Sequence, residues 1–294
     1  MTVAAGKLPR DRVPYSAIVD RPPLKLPGGA RMVVWTIVNV EEWSIERNMP
    51  RTVLSPPMGQ PLMPDLPNWA WHEYGMRVGF WRLVDVLARY KITPTLAVNG
   101  SVLKSYPRIA GAARDAGWEF MGHGFLQGPM HHVQDQRKAI RDTIDVIREF
   151  TGKPPRGWES PGLTETYDTI DILHEEGIEY VADWPLDDQP VKIKTSKGHI
   201  VSVPYTLEVN DIPMMALQHH PAEEMLKRGA AQFDRLYAES ERITRVMAVS
   251  VHPYITGVAH RIGWLEKLYE HMLAKPGVLM WTGEQILDWY VGQG

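Results

Sequence analysis

"MVVWTIVNVEEW", residues 32–43, decides the fold. Its first eight residues form a near-continuous apolar run with β-branched side chains, as expected of a strand buried on both faces. The run ends at two adjacent carboxylates, Glu41 and Glu42. Strands of this kind sit in parallel sheets covered by helices, so the flanking chain should alternate strand and helix.

It does. Residues 76–90, "MRVGFWRLVDVLARY", carry apolar groups at helical spacing, and a short apolar strand follows at 94–98. "VLKSYPRIAGAARDAG" reads as a helix interrupted at Pro107, and "WEFMG" at 118–122 as a strand ending beside His123. "VQDQRKAIRDTIDVIREF" is a long amphipathic helix with basic residues interspersed among acidic ones. The alternation continues through "RGWES" at 156–160, the helix "TYDTIDILHEEG" and the strand "IEYVAD", which ends at Asp183. "VKIKTSKGHIVSVP" departs from it, because two β-like runs flank "SKG" as in a hairpin. Helices around 222–240, 262–274 and 282–291, with strands at 246–251 and "GVLMW", complete the chain. Roughly seven strand–helix units favour a (β/α) barrel, with a doubly wound sheet as the alternative.

Composition narrows the function. The chain has 294 residues, 44% of them hydrophobic, enough for one large core, and no low-complexity linker divides it. We expect a Pro-rich N-terminal arm over 1–30 and one barrel domain over 31–294. A net charge of −3 lacks the basic signature of a broad nucleic-acid surface. With no cysteine, any metal must be held by His, carboxylate or amide oxygen. The first residues hold no apolar segment of signal-peptide length and nothing later reads as a membrane span, so the expected location is the cytoplasm. The expected partners are a small-molecule substrate and further copies of the chain, with neither nucleic acid nor membrane. The Pro-rich arm and residues 49–75 are candidates for a lid or a subunit contact.

In a parallel barrel, active sites collect where strands end and βα loops begin. The strand ends here carry Asn39, Glu41, Glu42, Asn99, His123, Glu159, Asp183 and His252. Carboxylates held together or desolvated can act as acid or base near neutrality. Neighbours on an extended strand face opposite ways, however, so Glu41 and Glu42 share a pocket only if the loop curves. In "MGHGFLQG", the glycines permit close approach around His123, while Gln127 can orient a carbonyl or a water. In "SVHPYITGVAHR", Pro253 stops the ladder and leaves His252 at its end. Asp183 offers an acceptor and Trp184 an apolar wall. Arg261 suits a carboxylate or urea-like oxygen and, equally, a helix-start ion pair. The pairs His131–His132 and His219–His220 lack a clear third ligand.

These stretches resemble the polysaccharide deacetylase superfamily, and more closely its allantoinase-like, cyclic-amide hydrolase branch, over roughly residues 14–292. "NVEEW" stands where that family has its strand-end Asp-Asp motif, "GHG" at the His-bearing loop and "RGWESPG" at the Arg/Pro loop. "YVADWPLDDQP" and "SVHPYITGVAHR" resemble the later substrate-side and histidine motifs. The resemblance implies a distorted (β/α)7-type barrel. It puts Glu41 at the catalytic base, Glu42 at the metal carboxylate and His123 at the first metal histidine. His252 falls at the late histidine that acts as an acid or stabilises the tetrahedral intermediate. Three positions depart from the pattern: Glu42 replaces Asp, Gln127 replaces the second metal histidine, and Glu159 falls near the usual arginine. They point away from ordinary zinc chemistry and sugar deacetylation.

The function so implied is hydrolysis of a non-peptide C–N bond in a small cyclic amide, imide or ureide. Glu41, His123 and His252 are the catalytic candidates. Glu42, Asn99, Gln127, Glu159, Asp183, Trp184 and Arg261 are the substrate-binding candidates. Either no cofactor is needed, or, in a rival deacetylase of N-acetylated carbohydrate, Glu42, His123 and Gln127 hold zinc or another divalent ion. A silent carbohydrate- or metabolite-binding protein on the same scaffold is the third reading.

Overall fold

In the computed structural model, which describes residues 6–293, the opening run forms β1 (Met32–Val40), buried along its whole length. The arm before it carries one helical turn, α1 (Pro9–Arg12). After β1 come α2 (Leu66–Tyr74), α3 (Phe80–Arg89), β2 (Thr95–Val98), α4 (Val102–Ser105), α5 (Pro107–Asp115) and β3 (Glu119–Gly122). The middle holds α6 (Gln136–Thr151), β4 (Gly157–Trp158), α7 (Thr169–Glu175), β5 (Tyr180–Val181), β6 (Val191–Thr195) and β7 (Gly198–Ser202). The chain closes with α8 (Glu224–Glu239), β8 (Arg245–Val251), α9 (Ala259–Leu273), β9 (Val278–Met280) and α10 (Gly283–Val291). Pro107 splits the expected helix into α4 and α5, as its missing N–H and ring sterics require.

The strands run β6-β7-β5-β4-β3-β2-β1-β8, with β9 beside β1. All the pairings are parallel except the β6–β7 hairpin, which pairs Val191 with Ser202 and Thr195 with Gly198. β8 pairs with β1 from Met32 to Val38; β9 takes Met32–Val34 and β2 takes Ile37–Val40. The barrel is distorted and its sheet is not closed. Between β7 and β8 the chain at 203–210 bridges the gap by other means. Asn210 makes a single parallel bridge to Ser250, and the Ala248 N–H donates to Thr206 Oγ1 at 2.9 Å.

The pleat sorts side chains around the barrel. In β1, Val33, Trp35 and Ile37 join one apolar cluster inside the barrel, with Ala97, Met121, Tyr180, Ala182, Val201, Val203, Val246 and Ala248. The alternate residues Met32, Val34, Val38 and Val40 pack outward against the helices, as do Leu96, Val98, Phe120, Met247, Val249 and Val251. Carried one step past each strand end, the interior phase reaches Glu41, Asn99, His123, Glu159 and His252. The outward phase reaches Glu42 and, through Val181, Asp183. At the opposite end of the barrel, buried Glu119 accepts from the Tyr180 hydroxyl at 2.5 Å, from Thr95 and from the Glu284 N–H at 3.1 Å. Among the described residues no helix is long and apolar enough to cross a membrane.

The stretch before the expected helix at 76–90 is itself helical. α2 and α3 join through a π-helical segment, Gly75–Gly79. Those two glycines lie against the loop after β8: a Cβ on Gly79 would meet the Pro253 carbonyl oxygen at 2.0 Å. The arm is tied down by Arg12, whose buried guanidinium grips Asp171 at 2.7 Å, and by the Thr244 hydroxyl donating to the Leu24 carbonyl at 2.7 Å.

Candidate active site

Glu41 is buried at the mouth of the barrel, and its two oxygens differ. Oε2 accepts from Trp43 Nε1 at 2.7 Å and from the Tyr254 hydroxyl at 3.2 Å, which fixes the carboxylate's orientation. Oε1 accepts from Gln127 Nε2 at 2.9 Å and faces two imidazoles, His252 Nε2 at 3.5 Å and His123 Nε2 at 3.8 Å. Those two distances exceed a direct hydrogen bond. Among the described residues the Nε2 of His123 has no hydrogen-bond partner.

Each histidine is aimed from its far side. His123 donates from Nδ1 to the Glu159 carbonyl at 2.7 Å, which turns Nε2 toward Glu41. His252 Nδ1 lies 2.6 Å from Asp211 Oδ1, and the same carboxylate takes the His252 N–H at 2.7 Å and the Thr256 hydroxyl at 2.6 Å. Gly124, with φ of 72°, supplies the left-handed turn that releases the chain after His123 beside Pro161. Asn99 acts as a brace: Oδ1 accepts the Glu42 N–H at 2.9 Å, while Nδ2 donates to the His123 carbonyl and to Gln127 Oε1 at 3.2 Å.

Burial alone would raise the Glu41 pKa, but His123 and His252 outweigh it and hold the carboxyl well below its usual range. Burial would lower His252, yet Asp211 and then Glu41 lift it to about 10. His123 is raised in the same way by Glu41 and Glu159 against the pull of burial. The centre is therefore a carboxylate facing an imidazolium at neutral pH. Burial, helped by Asp183, pushes Glu159 to about 7; among the described residues its Oε2 has no partner, and its Oε1 lies 3.5 Å from the Tyr205 hydroxyl.

The sequence-predicted residues separate by phase. Glu41, His123, His252, Gln127, Asn99 and Glu159 come together. Glu42 does not share the Glu41 pocket: the strand alternation carries its side chain away. Asp183 also leaves, accepting the Ser160 N–H at 2.6 Å and lining a neighbouring cleft with Glu165 and Trp184. Trp184 donates to Glu165 Oε2 at 3.1 Å. Arg261 turns back on its own chain, toward the Ile255 carbonyl at 3.4 Å. The conditional metal set of Glu42, His123 and Gln127 does not fit an ion. Gln127 presents its N–H to Glu41 and commits its oxygen to Asn99, and among the described residues no three or more His, Asp or Glu side chains converge as ligands.

Sequence reasoning missed Asp211, Tyr254, Trp43 and His72. His72 donates from Nε2 to the Glu41 carbonyl at 2.8 Å and stacks on Trp43 at 4.7 Å. Trp43 and Tyr254 stand inside the quoted motifs "EEW" and "HPY". Asp211 sits in "EVNDIPMM", where no periodicity marks it. Beside the centre opens a cleft of about 970 Å³. Gln127 lines it, with Phe125, Leu126 and Trp158 as apolar wall and Arg47 and Arg51 as its cationic groups.

Residues 71–181 match the family model described as polysaccharide deacetylase. A Schizosaccharomyces pombe protein assigned as a polysaccharide deacetylase is 29% identical over 237 residues, 73% of each chain. Among solved structures, a Pseudomonas aeruginosa PAO1 protein assigned as a polysaccharide deacetylase superposes with a TM-score of 0.84 at 25% identity, covering 95% of this chain and 98% of the other. PuuE allantoinase gives the same TM-score at 24% identity over 97% and 98% of the two chains. Residues 71–181 thus match the polysaccharide deacetylase model, and the chain shares its fold with a protein assigned to that family and with PuuE allantoinase.

Proposed function

We propose that the protein hydrolyses a non-peptide C–N bond in a small cyclic amide, imide or ureide. The observation that carries this reading is Glu41 Oε1 set among Gln127 and the Nε2 atoms of His123 and His252. A water placed there loses a proton to Glu41 as its oxygen bonds to the ring carbonyl carbon. The carbonyl oxygen takes up the negative charge, which the Nε2–H of a protonated His123, its pKa raised by Glu41 and Glu159, stabilises. The C–N bond then breaks and the proton on His252 Nε2 passes to the leaving nitrogen, giving a ring-opened carboxylic acid. Asp211 keeps that proton available by raising the imidazole's basicity, and Trp43 and Tyr254 hold the base still.

The low pKa of Glu41 makes it a weak base when the site is empty. A bound substrate that separates it from the imidazoles removes the interaction that depresses it, so basicity rises as the ring enters. No step is routed through a metal, because the donor set presents N–H groups where a cation would need lone pairs. The fold shared with PuuE allantoinase makes a ring substrate the first class to test, while the deacetylase relative makes acetamide cleavage on a sugar the rival.

The test is a substrate panel of hydantoin, allantoin, dihydrouracil, succinimide and N-acetylglucosamine oligomers, with Glu41→Gln as control. Ring opening that falls about 10²–10⁴-fold in the variant supports the reading. Acetate release with no ring opening replaces it by the deacetylase, and no turnover of either class leaves the silent binding protein.

A further inference from the structure

Resting on that reading, the geometry points to a substrate with a negative charge: we propose that Arg51, with Arg47 at the rim of the 970 Å³ cleft, binds a carboxylate carried by the ring. Several buried or half-buried guanidiniums have carboxylate partners, such as Arg12 on Asp171, Arg21 on Asp187 and Arg245 on Glu239, while Arg82 and Arg261 are held by a phenol and backbone carbonyls outside the cleft. Among the described residues Arg47 and Arg51 have none within 4.0 Å. Among the described residues Arg51 makes a local polar contact, Nη1 to the Pro50 carbonyl at 2.7 Å, and its buried Nε has no partner. A buried N–H on a cation is costly to leave unpaired, and a ligand oxyanion is the group that would satisfy it.

The surroundings agree. Gln127 touches both the cleft and Glu41, so an occupant of the cleft can reach the catalytic centre. Arg51 is close enough to Tyr254 for its charge to oppose the rise that burial imposes on that phenol. At about 970 Å³ the cleft lies at the upper end of ordinary ligand sites, more room than a five- or six-membered ring fills. The loop that carries Arg51 is fastened: Asn68 accepts the N–H groups of Val53 at 2.7 Å and Leu54 at 3.0 Å and donates to the Leu54 carbonyl at 3.0 Å. A guanidinium on a pinned loop is preorganised. The acidic side of the site, Glu41 and Asp211, repels an anion, so the two ends together orient the ring with its carboxylate toward Arg51 and its amide toward His252.

Two matched pairs test this: hydantoin against hydantoin-5-acetate, and dihydrouracil against dihydroorotate. The wild-type protein should favour the anionic member of at least one pair about tenfold or more in kcat/KM, and Arg51→Gln should erase that preference, a loss of about 10- to 100-fold. Arg51→Lys should restore part of it, since charge returns without the fork. A wild type without preference, or a preference that survives in Arg51→Gln, overturns the proposal while ring opening itself keeps the proposed function. If no ring is opened, that function has failed, and calorimetric binding of hydantoin-5-acetate decides the anion site separately: tenfold weakening in Arg51→Gln supports it, equal affinity ends it. Should Arg51→Gln not fold, Arg47→Gln with Arg51→Lys is read by the same ratios.

Discussion

Asp211 Oδ1 lies 2.6 Å from His252 Nδ1, and its second oxygen holds the backbone N–H of the same histidine, so one buried carboxylate fixes both the ring and the chain that bears it. This double attachment keeps His252 protonated through the neutral range, as the proposed acid must be. Its pKa of about 10 sets a descending limb of the rate near pH 10. Asp211→Asn removes the largest raising influence, and the limb should move to lower pH. Stability should follow the same group. A histidine raised from 6.5 to about 10 contributes its full stabilisation below pH 6.5 and loses it as pH rises through about 10. The melting midpoint of the wild type should therefore decline across that window, and Asp211→Asn should flatten the decline. A limb that stays put in the variant removes Asp211 from the mechanism.

Replacing the acid itself gives a different signature. His252→Gln leaves Asp211 with the Thr256 hydroxyl and a backbone N–H but without its ionic partner, so the melting midpoint should drop. The single-turnover rate should drop too, by about 10²–10⁴ per folded molecule. A histidine that only plugs the loop would lower the melting midpoint and leave the single-turnover rate unchanged.

The apolar runs at 32–40, 95–98 and 245–251 made the sheet legible, because burial on both faces leaves a composition that no surface strand has. The strand ends then marked Glu41, His123 and His252. What stayed hidden was phase. Counting in twos from Trp35 separates Glu41 from Glu42, and counting from Tyr180 separates Ala182 from Asp183, but the count is meaningful only once the face turned to the interior is known. Asp211 was illegible for another reason: it precedes a π-helical stretch, Ile212–Leu217, and reaches His252 across 41 residues of chain. The helix α2 lies within residues 49–75, a stretch expected as a lid or subunit contact; its Pro67 stands in the first helical turn, where a missing N–H costs nothing.

Chelation distinguishes the two hydrolase chemistries. Gln127 and Asn99 close the place where a second metal histidine would stand, so dialysis against a strong chelator should leave ring-opening activity unchanged. Elemental analysis of the dialysed protein fixes the comparison. Loss of activity that returns with stoichiometric zinc would show that Gln127 turns its oxygen to an ion, and would favour the deacetylase.

Gly79 tests how tightly the fold holds the acid in place. A Cβ at this position would lie 2.0 Å from the Pro253 carbonyl oxygen and 2.9 Å from its carbon, both backbone atoms that cannot rotate aside. Gly79→Ala must therefore push the loop after His252 away from the helix that carries residue 79. Overpacking of this kind costs about 1–3 kcal/mol. The displaced loop also carries Tyr254, which steadies Glu41, so the shift is felt at both proposed catalytic groups. A misplacement on the order of 1 Å at a reacting group costs about 10² in rate. Gly111→Ala is the matched control, since that glycine lies in α5 with nothing within 4 Å of the added Cβ. It should stabilise by up to about 1 kcal/mol through helix propensity and leave the rate alone. We expect Gly79→Ala to lower both the melting midpoint and the single-turnover rate. A variant that is destabilised but turns over at the wild-type rate would show that the loop's position does not set the geometry between His252 and Glu41.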